Sequence, residues 1–192
     1  GDSYQALDRR RDAIDAYEKA IVLDATYVSP LVGLGDVYQS MDRTEDAVER
    51  YRKALELRED DAQSWYGLGN IYYKTDELGQ AIEAYQQAIE ADPNFAAPWS
   101  QLGEIYAQQG DYSKAAETHQ RALVLNPETV VSLNSLGDAY FELGQYPEAI
   151  EAYEKVLAYD QEAPTEQAEA WNGLGNVYSK IDDQAAAFDA YR

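Results

Sequence analysis

The sequence predicts an all-α protein built from stacked helix hairpins. Three observations lead there: a motif that returns every 34 residues, apolar side chains three and four apart within each return, and Gly or Asp at one fixed place. The motif reads Leu31, Leu34, Gly35, Tyr38, then Trp65, Leu68, Gly69, Tyr72, then Trp99, Leu102, Gly103, Tyr106. It continues as Leu133, Leu136, Gly137, Tyr140 and as Trp171, Leu174, Gly175, Tyr178. The successive steps are 34, 34, 34 and 38 residues. Self-similarity at such a period marks units that cannot bury an apolar face alone and must stack on their neighbours.

Setting the first residue of each motif at position 4 gives complete units 28–61, 62–95, 96–129 and 130–163. Residues 1–27 then read as positions 8–34 of an earlier unit, 164–167 as a four-residue insertion, and 168–192 as positions 1–25 of a last unit. The sequence thus reads as a segment of a longer array. Positions 4, 7, 8 and 11 predict a first helix, because that spacing puts them on one face. A second helix follows from positions 20, 24 and 27: Ala47, Tyr51, Ala54; Ala81, Tyr85, Ala88; Ala115, His119, Ala122; Ala149, Tyr153, Val156. Between the helices, position 15 holds Asp8, Asp42, Asp76, Gly110, Gly144 and Asp182. These are the types that accept a left-handed backbone, so a tight turn is expected at each.

Pro93 and Pro127 mark breaks between units, whereas 28–61 ends on the charged run Leu57-Arg58-Glu59-Asp60-Asp61, which must itself make the turn. Pro30 and Pro98 fall in a first turn, where no intrahelical N–H is required. The glycines at position 8 predict a close helix contact, with the alanines at position 20 expected opposite them. Around the insertion, Asp160 to Gln167, a longer surface loop is expected, or else a longer second helix or a local change of superhelical pitch that shapes a binding edge, with Thr165 capping the next helix and Pro164 just outside it. His119 stands where its neighbours have tyrosine, and reads as a half-buried spacer making one hydrogen bond.

Composition narrows the function. The 192 residues include 36 acidic and 15 basic groups, a net charge of -21, which disfavours a nucleic-acid partner. With no cysteine and one histidine, neither a disulfide framework nor a metal site is expected, and no cofactor is implied. No apolar run is long enough to span a bilayer, and the start does not read as a signal peptide, which leaves the compartment open.

The repeat resembles the tetratricopeptide repeat family over the whole chain. The resemblance implies antiparallel helix pairs stacked into a right-handed superhelix, first helices on the concave face, and a role as a protein- or peptide-binding scaffold without chemistry of its own. Solvent-facing positions of the first helices are then the candidate ligand contacts: Asp36, Gln39, Tyr66, Asn70, Tyr73, Lys74, Glu104 and Gln108, followed by Asn134, Asp138, Phe141, Glu142, Asn172, Asn176 and Lys180. Position 9 is acidic or amide each time (Asp2, Asp36, Asn70, Glu104, Asp138, Asn176), suited to a peptide backbone or a cationic side chain. Tyr66, Tyr73 and Phe141 are candidate apolar anchors.

Family members that clamp acidic chaperone tails place lysine or arginine at positions 2, 5 and 6. None stands there in this sequence, so an acidic tail is disfavoured. Residues 130–167 carry a net charge of -7, a field that steers a basic partner. The main alternative is a structural module that self-associates through its terminal repeats, with Tyr4, Leu7, Phe188 and Tyr191 as candidate apolar contacts. Catalysis is not expected, because the carboxylates follow the helix surface and do not converge on a closed pocket.

Overall fold

The computed structural model describes residues 2–159 and 164–192, with side chains from residue 9 onward. Its helices, in chain order, are α1 (Asp2–Leu23), α2 (Val28–Ser40), α3 (Thr44–Leu57), α4 (Ala62–Lys74), α5 (Leu78–Ala91) and α6 (Ala96–Gln108). The rest are α7 (Tyr112–Leu125), α8 (Val130–Glu142), α9 (Tyr146–Ala158), α10 (Pro164–Lys180) and α11 (Gln184–Ala190). The chain divides into two compact units, α1–α5 up to Pro93 and α6–α11 from Asn94. Within each, successive helices pair as hairpins and the hairpins stack, so the all-α hairpin solenoid expected from the repeat is the observed fold.

The hairpin turns follow from position 15. Asp42, Asp76 and Asp182 have φ of 57°, 64° and 61°, and Gly110 and Gly144 have 77° and 73°. In each case the next residue donates its N–H back to the position-11 carbonyl, as in Arg43 to Tyr38 at 2.9 Å and Glu77 to Tyr72 at 2.8 Å. The same bond joins Asp111 to Tyr106, Gln145 to Tyr140 and Asp183 to Tyr178, each at 2.9 Å. One left-handed residue thus satisfies the end of the first helix and reverses the chain.

The charged break before α4 works through Asp61. Its carboxylate is only 3 % exposed, accepts from the Ser64 N–H at 2.8 Å and pairs with Arg58. Helix capping and an ion pair therefore do there what proline does elsewhere.

Four expectations are corrected. α1 runs unbroken from Asp2 through Asp8 to Leu23, so no turn forms there; aspartate at position 15 permits a left-handed turn but is equally accommodated within a helix. The position-8 glycines face the ring at position 24, not the alanine at position 20. A Cβ on Gly35 would lie 2.5 Å from the Tyr51 ring, and one on Gly67, in the next repeat, 2.4 Å from it. Tyr153 is gripped in the same way, by Gly137 at 2.5 Å and Gly173 at 2.4 Å.

Third, the extra residues make neither a loop nor a longer second helix. α10 has 17 residues where α2, α4, α6 and α8 have 13, so Pro164 to Gln167 add one turn to the start of a first helix. Pro164 is its first residue, a place proline favours, and Thr165 lies inside the helix and does not cap it. Asp160 to Ala163 lie outside the described residues. Fourth, His119 is fully buried, and neither ring nitrogen has a hydrogen-bond partner.

Around these contacts the core is apolar and tight. Leu31, Ala47, Tyr51, Ala54, Ala81, Tyr85, Ala88, Ile105, Ala115, Ala149 and Val177 are all at 0 % exposure. Trp65 and Trp99 are half-buried, whereas Trp171 is 48 % exposed. Trp65 shares a hollow with Gln87, Glu90 and Ala91 from the last turns of α5.

Candidate functional site

Every candidate contact residue lies on a first helix: Asp36 and Gln39 on α2, Tyr66, Asn70, Tyr73 and Lys74 on α4, and Glu104 and Gln108 on α6. Asn134, Asp138, Phe141 and Glu142 are on α8, and Asn172, Asn176 and Lys180 on α10. What organises them is a bond from the second helix that the sequence reading did not foresee. The Tyr51 hydroxyl donates to Asp36 Oδ1 at 2.6 Å, Tyr85 to Asn70 Oδ1 at 2.8 Å, Tyr153 to Asp138 Oδ1 at 2.6 Å and Tyr191 to Asn176 Oδ1 at 2.8 Å. The hydroxyl of each of these second-helix tyrosines thus holds the position-9 group of its own hairpin by one oxygen.

The consequence is orientational. With Oδ1 of Asn70 and Asn176 taken, the amide nitrogen remains as donor; with Oδ1 of Asp36 and Asp138 taken, the second carboxylate oxygen remains as acceptor. In the unit 96–129 the scheme changes at both ends. The shorter His119 replaces tyrosine and the longer Glu104 replaces aspartate or asparagine. Glu104 Oε1 lies 3.6 Å from His119 Nε2 and accepts instead from Ser135 Oγ at 2.6 Å. Burial pushes the His119 pKa down to about 4, so the ring is neutral at pH 7 and the two groups form no ion pair.

Burial also raises the carboxyl pKa of Asp36 and Asp138, against the lowering effect of the tyrosine hydrogen bonds; Glu104 and Glu142 raise Asp138 further. Burial, and after it the bonded carboxylate, raises the hydroxyl pKa of Tyr51 and Tyr153. The phenols therefore stay protonated and act as donors.

Other candidates have structural duties. Lys74 pairs with Asp42 in the preceding hairpin turn, and Phe141 packs on Tyr146 with ring centroids 6.0 Å apart. Tyr66 stacks at a tilt on Tyr85, centroids 5.8 Å apart, while Tyr73 stands 36 % exposed. Asn134 is 5 % exposed, donating from Nδ2 to the Glu166 carbonyl at 2.8 Å and towards Glu169 Oε2 at 3.4 Å. Gln108, Glu142, Asn172 and Lys180 are exposed.

The missed residues were legible in principle. A tyrosine 15 positions after an acid or amide recurs in five units (Asp2 and Tyr17 included), and the one exception changes both partners together. Among the described residues no cluster suited to a metal ion is present, and no helix is long and apolar enough to cross a membrane.

The family profile of the cytochrome c-type biogenesis protein H TPR domain matches residues 51–164, and a single tetratricopeptide repeat profile matches 31–63. The chain belongs to the tetratricopeptide repeat family. As such it is a protein–protein interaction module, on a repeat fold that generally serves as a non-catalytic scaffold. None of the curated protein sequences matches it.

Among solved structures, MamA superposes with a TM-score of 0.69 at 30 % identity over 82 % of this chain and 92 % of its own. YrrB, described as a TPR protein with an unusual peptide-binding site, gives a TM-score of 0.78 at 24 % identity, covering 92 % of this chain and 89 % of its own. Pseudomonas aeruginosa pilF gives 0.81 at 19 % identity, covering 98 % and 84 %. YrrB and pilF, at these identities, speak to the tetratricopeptide fold alone.

Proposed function

We propose that the first-helix faces of this tetratricopeptide chain bind an extended peptide or partner segment of polar or basic character. The observation that carries the reading is the tyrosine bond behind each of Asp36, Asn70, Asp138 and Asn176. A side chain held by one oxygen from inside presents its other polar atom in a fixed direction, which lowers the entropy lost when a ligand hydrogen-bonds to it. Acceptors at Asp36 and Asp138 and donors at Asn70 and Asn176 suit a peptide backbone, which offers both N–H and C=O groups. The excess of carboxylates favours cationic side chains along it.

A fluorescence titration of array-selected peptides at low and high salt tests the proposal. Binding to acidic-depleted, basic sequences that weakens with salt and is lost in Asn70→Ala and Asn176→Ala supports it. Binders indifferent to both substitutions would remove the case.

A second reading is self-association through the last hairpin, favoured by exposed Trp171, Ile181, Phe188 (64 %) and Tyr191 (54 %). Phe188→Glu is then expected to abolish a dimer seen by light scattering; a monomer at high concentration before mutation excludes it. The side chains of Tyr4 and Leu7 lie outside the described residues.

A further inference from the structure

We infer that the hollow between α7 and α9 receives an aromatic side chain of a partner protein, with a lysine or arginine beside it. The hollow lies between two second helices, so the inference goes beyond the peptide-binding reading above and does not rest on it. It measures ≈ 580 Å³. Leu133 and Leu136 of α8, both buried, line it from within; α7 and the turn after it contribute Leu123, Val124 and Pro127, and α9 contributes Tyr159.

What fits there is legible from what the same place holds in another repeat. In the unit 62–95 position 4 is Trp65, which shares a hollow with Glu59, Gln87 and Ala91 and donates from Nε1 to the Glu59 carbonyl at 2.8 Å. The residues in register with those three are Pro127, Lys155 and Tyr159, all on the hollow between α7 and α9, where position 4 is Leu133. The hollow thus covers the place of an indole that the unit 130–163 lacks. Tyr159 replaces the indole's bond from the other helix, its hydroxyl donating to the Pro127 carbonyl at 3.2 Å, and the space beside Leu133 stays open.

A second exchange keeps the place apolar. Position 29 of the preceding unit is glutamate ahead of tryptophan, Glu56 ahead of Trp65 and Glu90 ahead of Trp99. It is valine ahead of leucine, Val22 ahead of Leu31 and Val124 ahead of Leu133. Val124 is 74 % exposed, at a position where its neighbours carry a charge that water solvates. An aromatic ring seated beside Leu133 would cover Val124 and Leu123 together, and rings gain most from such burial.

The rim selects the neighbouring residue. Glu148 and Glu151 of α9 border the hollow, and Lys155, the cation among its lining residues, is held by Glu151 at 2.7 Å. Glu148 is in no ion pair among the described residues and is exposed. On the α7 side Gln120 donates to the Tyr140 hydroxyl and brings no charge. A basic residue next to the aromatic one therefore meets Glu148, whereas an acidic one is repelled.

The test is a titration of the whole chain, ¹³C-labelled at leucine and valine methyls, with acetyl-Gly-Lys-Trp-Lys-Gly-amide. The same peptide with alanine for tryptophan, or with glutamate for both lysines, serves as comparison. The tryptophan peptide is expected to move the Leu123, Val124 and Leu133 methyl resonances and to bind about tenfold more tightly than the alanine peptide. Val124→Glu, which copies Glu56 and Glu90, should abolish those shifts with an unchanged melting curve. Leu133→Trp with Tyr159→Ala, which copies Trp65 and Ala91, should abolish binding by filling the hollow from within. Glu148→Gln with Glu151→Gln should cut the preference over the glutamate peptide about threefold. Equal binding of the tryptophan and alanine peptides, shifts untouched by Val124→Glu, or an undiminished lysine preference in the glutamine variant overturns the inference. Shifts centred on the Val32 or Val131 methyls overturn it and count for the first-helix reading instead.

Discussion

Gly35→Ala offers the sharpest test of how the hairpins are held together. In an exposed helix interior, exchanging Gly for Ala stabilises by about 1 kcal/mol, because Ala loses less backbone entropy. Here the added methyl would sit 2.5 Å from Cε1 of Tyr51, far inside any contact a real Cβ makes. The ring has nowhere to retreat: moving away from Gly35 drives it into Gly67, whose own Cβ position is 2.4 Å from the ring, and Tyr51 is at 0 % exposure. Overpacking of this kind costs about 1–3 kcal/mol, and a ring gripped from both sides belongs at the upper end. After the helix gain, a net loss of about 2 kcal/mol remains, which for a chain of this size lowers Tm by about 4–8 °C. Urea and thermal unfolding followed by circular dichroism measure it. Gly79→Ala is the internal control, since nothing lies within 4 Å of its Cβ position, and a small stabilisation is expected. The reasoning is refuted if Gly35→Ala is as stable as Gly79→Ala, or if Tyr51→Ala does nothing to relieve it in the double mutant.

Further outcomes follow from the same contacts. His119 has its pKa held down to about 4 against an unfolded value of 6.5, so the unfolded chain binds the extra proton between those pH values. Stability should therefore fall by about 3 kcal/mol in total as pH drops from 6.5 towards 4. Asp36 and Asp138, whose folded carboxyl pKa values are raised, favour the folded state on acidification and oppose that slope at its lower end. His119→Leu is expected to flatten the slope and to be neutral or stabilising at pH 7; an unchanged pH profile in urea melts would contradict the assignment. His119→Tyr combined with Glu104→Asp should recreate the hydroxyl–carboxylate bond and gain about 1 kcal/mol over His119→Tyr alone, as a double-mutant cycle would read out. Tyr85→Phe should cost about 1 kcal/mol and weaken peptide binding several-fold by releasing Asn70; unchanged affinity would separate the tyrosine bond from recognition.

The parts of the fold legible in the sequence were those set by residue type at a fixed spacing. Positions 4, 7, 8 and 11 specify a buried stripe, and Gly or Asp at position 15 specifies a left-handed turn, because each demand is local. The partner of the glycines was not local. A missing Cβ announces close approach but does not say by what, and both a small alanine and a flat ring satisfy it. The insertion was ambiguous for a related reason: four residues ahead of a helix extend it or loop out according to whether the chain beyond gives them something to hold, and here Asn134 and the Tyr159 carbonyl do, the latter accepting from Gln167 at 3.3 Å.

Position 9 is tied to the scaffold first. Its alternation between acid and amide looked like a choice made for a ligand, yet Asp36, Asn70, Asp138 and Asn176 each answer first to a tyrosine of the second helix, which takes one of the two polar atoms. Hairpin packing therefore uses an oxygen acceptor at position 9 in these four units, and under the proposed function the other half of the group, oxygen or nitrogen, is what would meet a ligand. In the unit 96–129 tyrosine gives way to histidine and the carboxylate lengthens and turns to Ser135, so the oxygen is no longer required from below. At that unit alone, Glu104 is bound to the following repeat instead of its own, and substitution there should alter the joint between α6 and α8 before it alters any ligand.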